Sequence, residues 1–473
     1  HRTRLVFIPD PFGDDLRHGV KRYSDPILDQ VAHLCKDSDL IGITLMTNYF
    51  DGAVQVTERI KRDGDIPVIW GGIHPTIRPE ESLKHADIVC VGDGEDAILE
   101  LLDSMEAGGD WSGIANLWTK KDHAIVSNPP RPLERNLDIY AFPDYSLEDH
   151  HILWQGGIQP LDEELTKRFL ERGTVSRYLK RIGYQTMTGR GCPHQCSYCV
   201  NDALKNLYGG QDYLRWRSPR HVVEELLMVK RRMPYVGFIW ISDDAFFARP
   251  TEAIMEFCRA YKREIGLPFS CLASPLTMTR EKMEALVDAG LVFIQMGIQS
   301  GSSRIQELFN RKSMTNDRLM RAVGIINEFR DSMFPPTYDF ILDVPYETDR
   351  DVVESLKLIS DLPKPYRLQP FTLSLYPGTK LYSMAKQDGL VRDEQREIYS
   401  KSYYAIKEEN YLNLLIALAS GGKFPGLLLK LLISRPVVPV LNSKPLKPLF
   451  KGLYRTLRAV KRFIFRQAEP AAL

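Results

Sequence analysis

Three cysteines, Cys192, Cys196 and Cys199, stand in the run TMTGRGCPHQCSYCVND, spaced three and two residues apart. Thiolates this close on one turn can each bind a separate iron of a cubane cluster. Three ligands for four irons leave one iron free of protein, the kind of open position that catalytic metal sites keep for a substrate. A zinc site with His194 or a distant residue as fourth ligand is the competing reading. Zinc more often takes two separated Cys-x2-Cys pairs, and no second pair stands near 192–199. Cys258 and Cys271 sit singly in apolar segments and read as small core residues.

Such a loop needs a strand to end before it and a helix to begin after it. Strand candidates recur at 184–188, 237–242, 269–274, 291–299, 338–345 and 368–376, with helical stretches such as PRHVVEELLMVKRR between them. The alternation predicts a partial (β/α)6 barrel of TIM type over 181–387, with its chemistry at the strands' carboxyl ends. The fourth strand leads into GIQSGS, carrying Gly297, Gln299, Ser300 and Ser302 ahead of Arg304. Either these residues face a ligand or a serine caps the next helix. Asp243 and Asp244 end the second strand, and alternation lets at most one of them face the barrel mouth. Asp343, Tyr346 and Glu347 pose the same choice between ligand contact and a turn about Pro345.

Ahead of the barrel, the apolar runs LVFIP, DLIGITLM, IPVIWGG and ADIVCVGDGE alternate with helical stretches over 1–127. This pattern predicts a Rossmann-like, doubly wound α/β domain. Ligands in such sheets lie outside the strands' carboxyl ends, where loops 44–48, 71–74 and 92–95 converge. Residues 128–180 read as a linker, Pro-rich up to 145 and helical with many charges over 160–181. Residues 388–473 read as a helical C-terminal region.

Cys192, Cys196 and Cys199, with Tyr198 just before the last, resemble the signature of the radical S-adenosylmethionine superfamily. RWRSPRHVVEEL, ISDDAFF, GIQSGSSRI, YDFILDVPYETD and LYPGTKLY follow in the order seen in its subgroup with an N-terminal cobalamin-binding domain, and the resemblance runs from about residue 40 to 385. It implies a 4Fe-4S cluster on the three Cys and Tyr198 beside the adenine of S-adenosylmethionine. Gly297, Gln299, Ser300 and Ser302 would contact the cosubstrate, Asp243 would offer it a polar contact, and Arg304 would pair with its carboxylate. The first domain would cradle cobalamin with Thr44, Thr47, Gly71, Gly72, His74, Gly92, Gly94 and Glu95. Gln299 stands where the family usually has Glu. The axial-histidine motif Asp-x-His-x-x-Gly is absent, His18 approaching it only superficially, and the domain looks short, as if a strand and helix preceded His1.

The activity this implies is reductive cleavage of S-adenosylmethionine to a 5′-deoxyadenosyl radical, then cobalamin-dependent methylation of an unactivated carbon. Oxidative cyclisation or rearrangement without methyl transfer is the alternative with the same cofactors. A tRNA methylthiotransferase would bring three further cluster cysteines to the first domain, which has only Cys35 and Cys90. A non-catalytic iron-sulfur or cobalamin carrier is the remaining class.

With 62 Lys plus Arg against 61 Asp plus Glu, no global field recruits nucleic acid. The balance is uneven along the chain: from Ser420 onward stand 11 Lys or Arg and one Glu, a local charge of +10. Over 447–466, Leu449, Leu453, Leu457, Val460 and Ile464 form one helical stripe, and Lys447, Lys451, Arg455, Arg458, Arg462 and Arg466 form another. Such a helix either packs on the barrel with a solvated basic face or docks on anionic lipid. The clustered cysteines suit a reducing cytoplasm, with peripheral contact at the inner membrane surface. The expected partners are a small-molecule or lipid-like substrate and an external electron donor of flavodoxin or ferredoxin type.

Overall fold

The computed structural model describes residues 1–9, 22–122, 124–210, 213–400 and 409–467, with side chains to 457. His18 and the side chains of 458–466 fall outside this description. Strand β1 (Leu5–Phe7) opens the chain; β2 (Ile41–Thr44), β3 (Val68–Gly71) and β4 (Ile88–Cys90) pair in parallel, and antiparallel β5 (Leu117–Lys121) and β6 (Ala124–Ser127) complete that sheet. Alternate residues enter opposite cores. Ile41, Val68, Trp70 and Val89 pack with the helices Asp25–Cys35 and Phe50–Asp63, while Ile69, Ile88 and Cys90 pack with Glu95–Glu106. Coverage of both faces is why these strands are apolar throughout.

One strand departs from expectation. LVFIP does not join the doubly wound sheet; β1 pairs in parallel with β7 (His150–Trp154), Leu5 opposite His150, and β8 (Gly157–Pro160) returns antiparallel to β7. The hairpin lies within 128–180, which had the composition of a linker. Its turn, Gln155 at φ 48° and Gly156 at φ 82°, is the doubly left-handed kind that two-residue hairpins favour.

All six expected barrel strands form. The larger sheet begins with β9 (Gly183–Thr186). After a two-residue antiparallel pair, β10 (Gly189–Arg190) and β11 (Arg215–Trp216), it continues through β12 (Phe238–Ile241), β13 (Phe269–Ala273), β14 (Leu291–Gln299), β15 (Thr337–Leu342) and β16 (Arg367–Thr372), every neighbour parallel. Ile239, Ile241, Phe269, Cys271, Ile294, Met296, Tyr338 and Phe340 belong to the core shared with the outer helices. Alternation turns Trp240, Gln295, Gln299 and Asp339 inward. Phe238 and Phe293 close one end against Val175 and Leu179.

The chain then returns to the first domain. Gln395 Nε2 donates to Asp51 at 2.7 Å, the Tyr399 hydroxyl to Glu81 at 2.7 Å, and Arg78 Nη2 to Glu394 at 3.0 Å. The C-terminal helices Tyr411–Ala419, Gly426–Leu432 and Lys447–Gln467 extend the barrel core, with the Tyr411 and Phe450 rings 4.9 Å apart. Here the expected apolar stripe is displaced: Phe450 and Tyr454 are buried, whereas Leu449 and Leu453 are 56% and 48% exposed. Aromatic rings one position along fill the space against the helix Tyr411–Ala419, and the leucines are left outside. Among the described residues, no helix is long and apolar enough to cross a membrane.

Glu394 also accepts from Lys386 Nζ at 2.6 Å and from the Tyr382 hydroxyl. Glu394→Ala leaves the partly buried Arg78 without this carboxylate and should cost about 1–3 kcal/mol. Amide hydrogen exchange should then accelerate in Phe50–Asp63 and 394–399 before it does in the barrel strands; uniform acceleration would contradict this.

Candidate active site

The cysteine loop is fastened at nearly every residue. Ser197 N–H donates to Phe309 O at 3.0 Å, its hydroxyl to Leu308 O at 2.7 Å, and its carbonyl accepts from Leu381 N–H at 2.8 Å. Asn310 Nδ2 holds the Gln195 carbonyl at 2.7 Å, and the Cys199 N–H closes on Cys196 O at 3.0 Å. His194 Nε2 lies 2.7 Å from the Ser274 hydroxyl, and burial lowers its pKa to about 4. That bond engages one of the two ring nitrogens through which His194 could have ligated zinc. Tyr198 meets the Phe309 ring edge-on, centroids 4.8 Å apart, inside the cluster of Ile305, Ile341, Leu373 and Leu381.

The three thiols are free, and Cys196 is buried. Burial pushes Cys192 up to about 12 and Cys199 up to about 11, the neighbouring sulfurs adding to the effect. Thiolates here therefore need cationic compensation, and two donors point at them: Arg311 Nη1 lies 3.7 Å from Cys196 Sγ and Asn201 Nδ2 lies 3.8 Å from Cys199 Sγ. Among the described residues the three sulfurs do not gather within 4.8 Å of one another. Ligands of a single zinc, each about 2.3 Å from it, would do so. The donor set, its burial and its spread fit a multi-iron cluster.

Arg311 had no motif to announce it. Its buried guanidinium bridges the loop to the barrel, donating to Gly297 O at 2.8 Å and Gln306 Oε1 at 3.1 Å. At β14 the pairing register shifts between Gly297 and Gln299; Gln299 takes φ 73°, and its Oε1 is buried without a hydrogen bond. Gln299 is thus a strand-end residue with an open acceptor, as Ser374, just past the end of β16, is with an unpartnered hydroxyl.

Its neighbours are already engaged within the fold. Ser300 meets the Ser355 hydroxyl at 3.2 Å; Ser302 donates to Asp351 at 2.6 Å and caps the next helix; Arg304 pairs with the same Asp351 and donates to Tyr346 O at 2.7 Å. Of the two readings of GIQSGS, capping describes Ser302, while Arg304 is already paired with Asp351 through Nε and Nη2. Asp243 likewise accepts from Thr188 N–H at 2.5 Å, its hydroxyl at 2.6 Å and Arg249 at 3.3 Å. Asp244 is the member of that pair that reaches the cysteines, accepting from Asn201 at 3.1 Å.

In the first domain the three loops bond to one another: His74 N–H donates to Leu45 O at 3.2 Å, and Gly92 N–H to Thr76 Oγ1 at 3.0 Å. Gly72, at φ 96°, could not carry a Cβ, which would stand 2.8 Å from Leu45 O. A Cβ on Gly94 would stand 3.0 Å from Cys90 Sγ, whereas one on Gly71 would meet Cys90 only at ordinary contact distance, 3.9 Å. Thr47 and His74 lie beneath the surface. His74 is fully buried, its Nδ1 3.2 Å from the Thr47 hydroxyl and its ring against Phe50 and Tyr399. It cannot serve as an axial ligand from there. The carboxyl-end surface includes Thr44, Met46 and Tyr49, all exposed, with the buried His74 against Thr47.

Gly92 to Glu95 do something the sequence did not announce. Asp93 accepts from Arg190 at 3.1 Å and from the buried Arg215 at 2.9 Å, and Glu95 pairs with Arg190. Arg190 is two residues ahead of Cys192. The Tyr208 hydroxyl, which accepts from Asp93 N–H at 2.8 Å, fills the space where a Cβ on Gly92 would sit. Burial would raise the Glu95 carboxyl, yet Arg190 holds it below its usual range. The first domain's third loop is thus bolted to the strand end that launches the cysteine loop.

Inside the barrel, Asp339 receives Gln295 Nε2 on both oxygens at 2.9 Å, with no cation in contact, and burial raises its carboxyl to about 7. Glu347, at the mouth, rises to about 8 for the same reason, with Asp351 and Asp343 adding to it. Strand alternation alone would have turned Asp339 inward.

Comparison with known proteins finds two matched regions. The Radical SAM superfamily model matches residues 186–359, and the B12 binding domain model matches 18–102. An uncharacterized methyltransferase of Pyrococcus horikoshii is 28% identical over 376 residues, 78% of this chain and 74% of its own. Bacteriochlorophyllide d C-8(2)-methyltransferase of Chlorobaculum tepidum is 24% identical over 395 residues, covering 80% and 75%. The structure of the radical S-adenosylmethionine methyltransferase TsrM from Kitasatospora setae, with cobalamin and a [4Fe-4S] cluster bound, superposes with a TM-score of 0.56 at 17% identity, covering 83% of this chain and 76% of that one. The radical SAM domain calls for a 4Fe-4S cluster and S-adenosylmethionine, and the B12-binding domain for cobalamin.

Asp339 makes stability pH-dependent. The folded protein keeps this proton up to about 7, whereas an unfolded aspartate loses it near about 4, so its contribution is complete below about pH 4 and is lost as pH rises to about 7. Asp339→Asn should flatten the fall of the thermal midpoint across that window; a decline as steep as the parent's would refute the assignment.

Proposed function

We propose that this protein, a cobalamin-dependent radical S-adenosylmethionine enzyme by its two matched domains, methylates an unactivated carbon of a small-molecule or lipid-like substrate. The observation that carries the reading is the clamp of Asp93 and Glu95 on Arg190 and Arg215, which ties the first domain's third loop to the strand that launches the cysteine loop. The two methyltransferase relatives favour methyl transfer over cyclisation or rearrangement.

When bound, the cluster supplies the electron that cleaves S-adenosylmethionine, and cobalamin supplies the methyl group. The chain's own residues do the positioning. Cys192, Cys196 and Cys199 would ligate three irons, with Arg311 balancing charge at Cys196. Gln299 Oε1 offers an acceptor to a hydroxyl or ammonium donor of the cosubstrate. Asp339, protonated below about pH 7, offers the barrel interior a neutral hydrogen-bond donor. The apolar plug of Phe238 and Phe293 closes the interior to water. An external flavodoxin- or ferredoxin-type protein is the fitting electron source.

Incubation of the reconstituted, reduced protein with methyl-labelled S-adenosylmethionine and trial substrates tests this. The parent should release 5′-deoxyadenosine and deliver label to product, and Cys196→Ala should lose both along with most bound iron. 5′-Deoxyadenosine formation with unlabelled product would favour the cyclase or rearrangement reading instead.

A further inference from the structure

The C-terminal helices carry more apolar surface than the protein covers. Phe450 and Tyr454 seat the helix Lys447–Gln467 on Tyr411–Ala419, yet Leu449 and Leu453 stand 56% and 48% exposed on its other side. Leu427 and Leu431, one turn apart on Gly426–Leu432, are 84% and 62% exposed, and Val440 between the two helices is 60% exposed. Bare aliphatic side chains at this density mark an interaction surface in a folded protein.

Charge identifies the partner. Lys423, Arg435, Lys444, Lys447 and Lys451 stand exposed in the same segment, and among the described residues none forms an ion pair. Lys430 and Arg455 do find acids, Asp361 at 2.6 Å and Glu409 at 2.8 Å. The segment from Ser420 holds +10 of charge while the remainder of the chain holds about −9. A second copy would bring the same cations face to face, a repulsion that a lipid headgroup layer reverses.

We infer that the surface formed by 423–453 docks on an anionic lipid bilayer, Leu427, Leu431, Val440, Leu449 and Leu453 entering the acyl boundary while the lysines meet headgroup phosphates. The inference is independent of methyl transfer: it concerns where the enzyme works.

Flotation of the full chain with vesicles tests it. Binding is expected to mixed phosphatidylglycerol and phosphatidylcholine, to weaken in high salt, and to be much poorer to phosphatidylcholine alone. Leu449→Ser with Leu453→Ser should lower binding about tenfold or more, and Lys444→Gln, Lys447→Gln and Lys451→Gln together should abolish the preference for anionic vesicles. All five side chains are exposed, so an unchanged thermal midpoint shows that the variants fold. Equal binding to both vesicles, no binding at all, or parental binding by the leucine variant would each overturn the inference. So would a dimer in light scattering that the leucine variant dissolves.

Discussion

The arrangement of this molecule rests on one carboxylate. Asp93 leaves the first domain's sheet on a tight glycine turn and takes up two guanidiniums, Arg190 from the start of the cysteine loop and the buried Arg215. Such partly buried ion networks contribute little net stability, because desolvation offsets attraction, but they select one geometry sharply. Selection is what a reaction shared by two cofactors requires, since neither can be useful if its neighbour drifts. Arg215 also donates to Glu134 O at 2.9 Å in the connecting segment, so the same side chain fixes both the cleft and the path between the domains.

A second level of order sits within the barrel. Arg311, Gln306 and the carbonyl of Gly297 join the cysteine loop to β14, while Asp351 gathers Ser302, Arg304 and Thr348 to tie the following turn to the next helix. Residues that are chemically suited to ligands are thereby consumed as scaffolding. Among the described residues, what remains open near the cysteines includes one amide oxygen of Gln299, and burial raises the Asp339 carboxyl to about 7.

The large features were legible because they depend on local periodicity. All six barrel strands and the three parallel strands of the first domain are where apolar runs put them, and the cysteine spacing pointed to a cluster. What the sequence left open shares a cause: each case turns on a long-range partner. Nothing within LVFIP says that its neighbour is HHILW, about 145 residues on. Ser302 and Arg304 look like ligand contacts until Asp351 is known to stand beside them, His74 looks available until Phe50 and Tyr399 cover it, and the stripe Leu449–Leu453 looks like the packed face until Phe450 is seen against Tyr411. Arg311 was invisible for the same reason, its importance lying in a sulfur 115 positions earlier.

The pairing of β1 with β7 changes the mechanical character of the first domain. A domain joined to its neighbour by one connecting segment can swing about it as a door about a hinge. Here the strand that enters the domain is zipped to the hairpin that leaves it, Asp93 is pinned at the cleft, and Tyr399 and Gln395 reach back from beyond the barrel. The β1–β7 pairing closes the domain on itself, and Asp93, Asp51 and Glu81 fasten it to the rest of the chain at separated points. A domain fastened in this way favours exchange of reactants by movement of the small molecules over swinging of the domain.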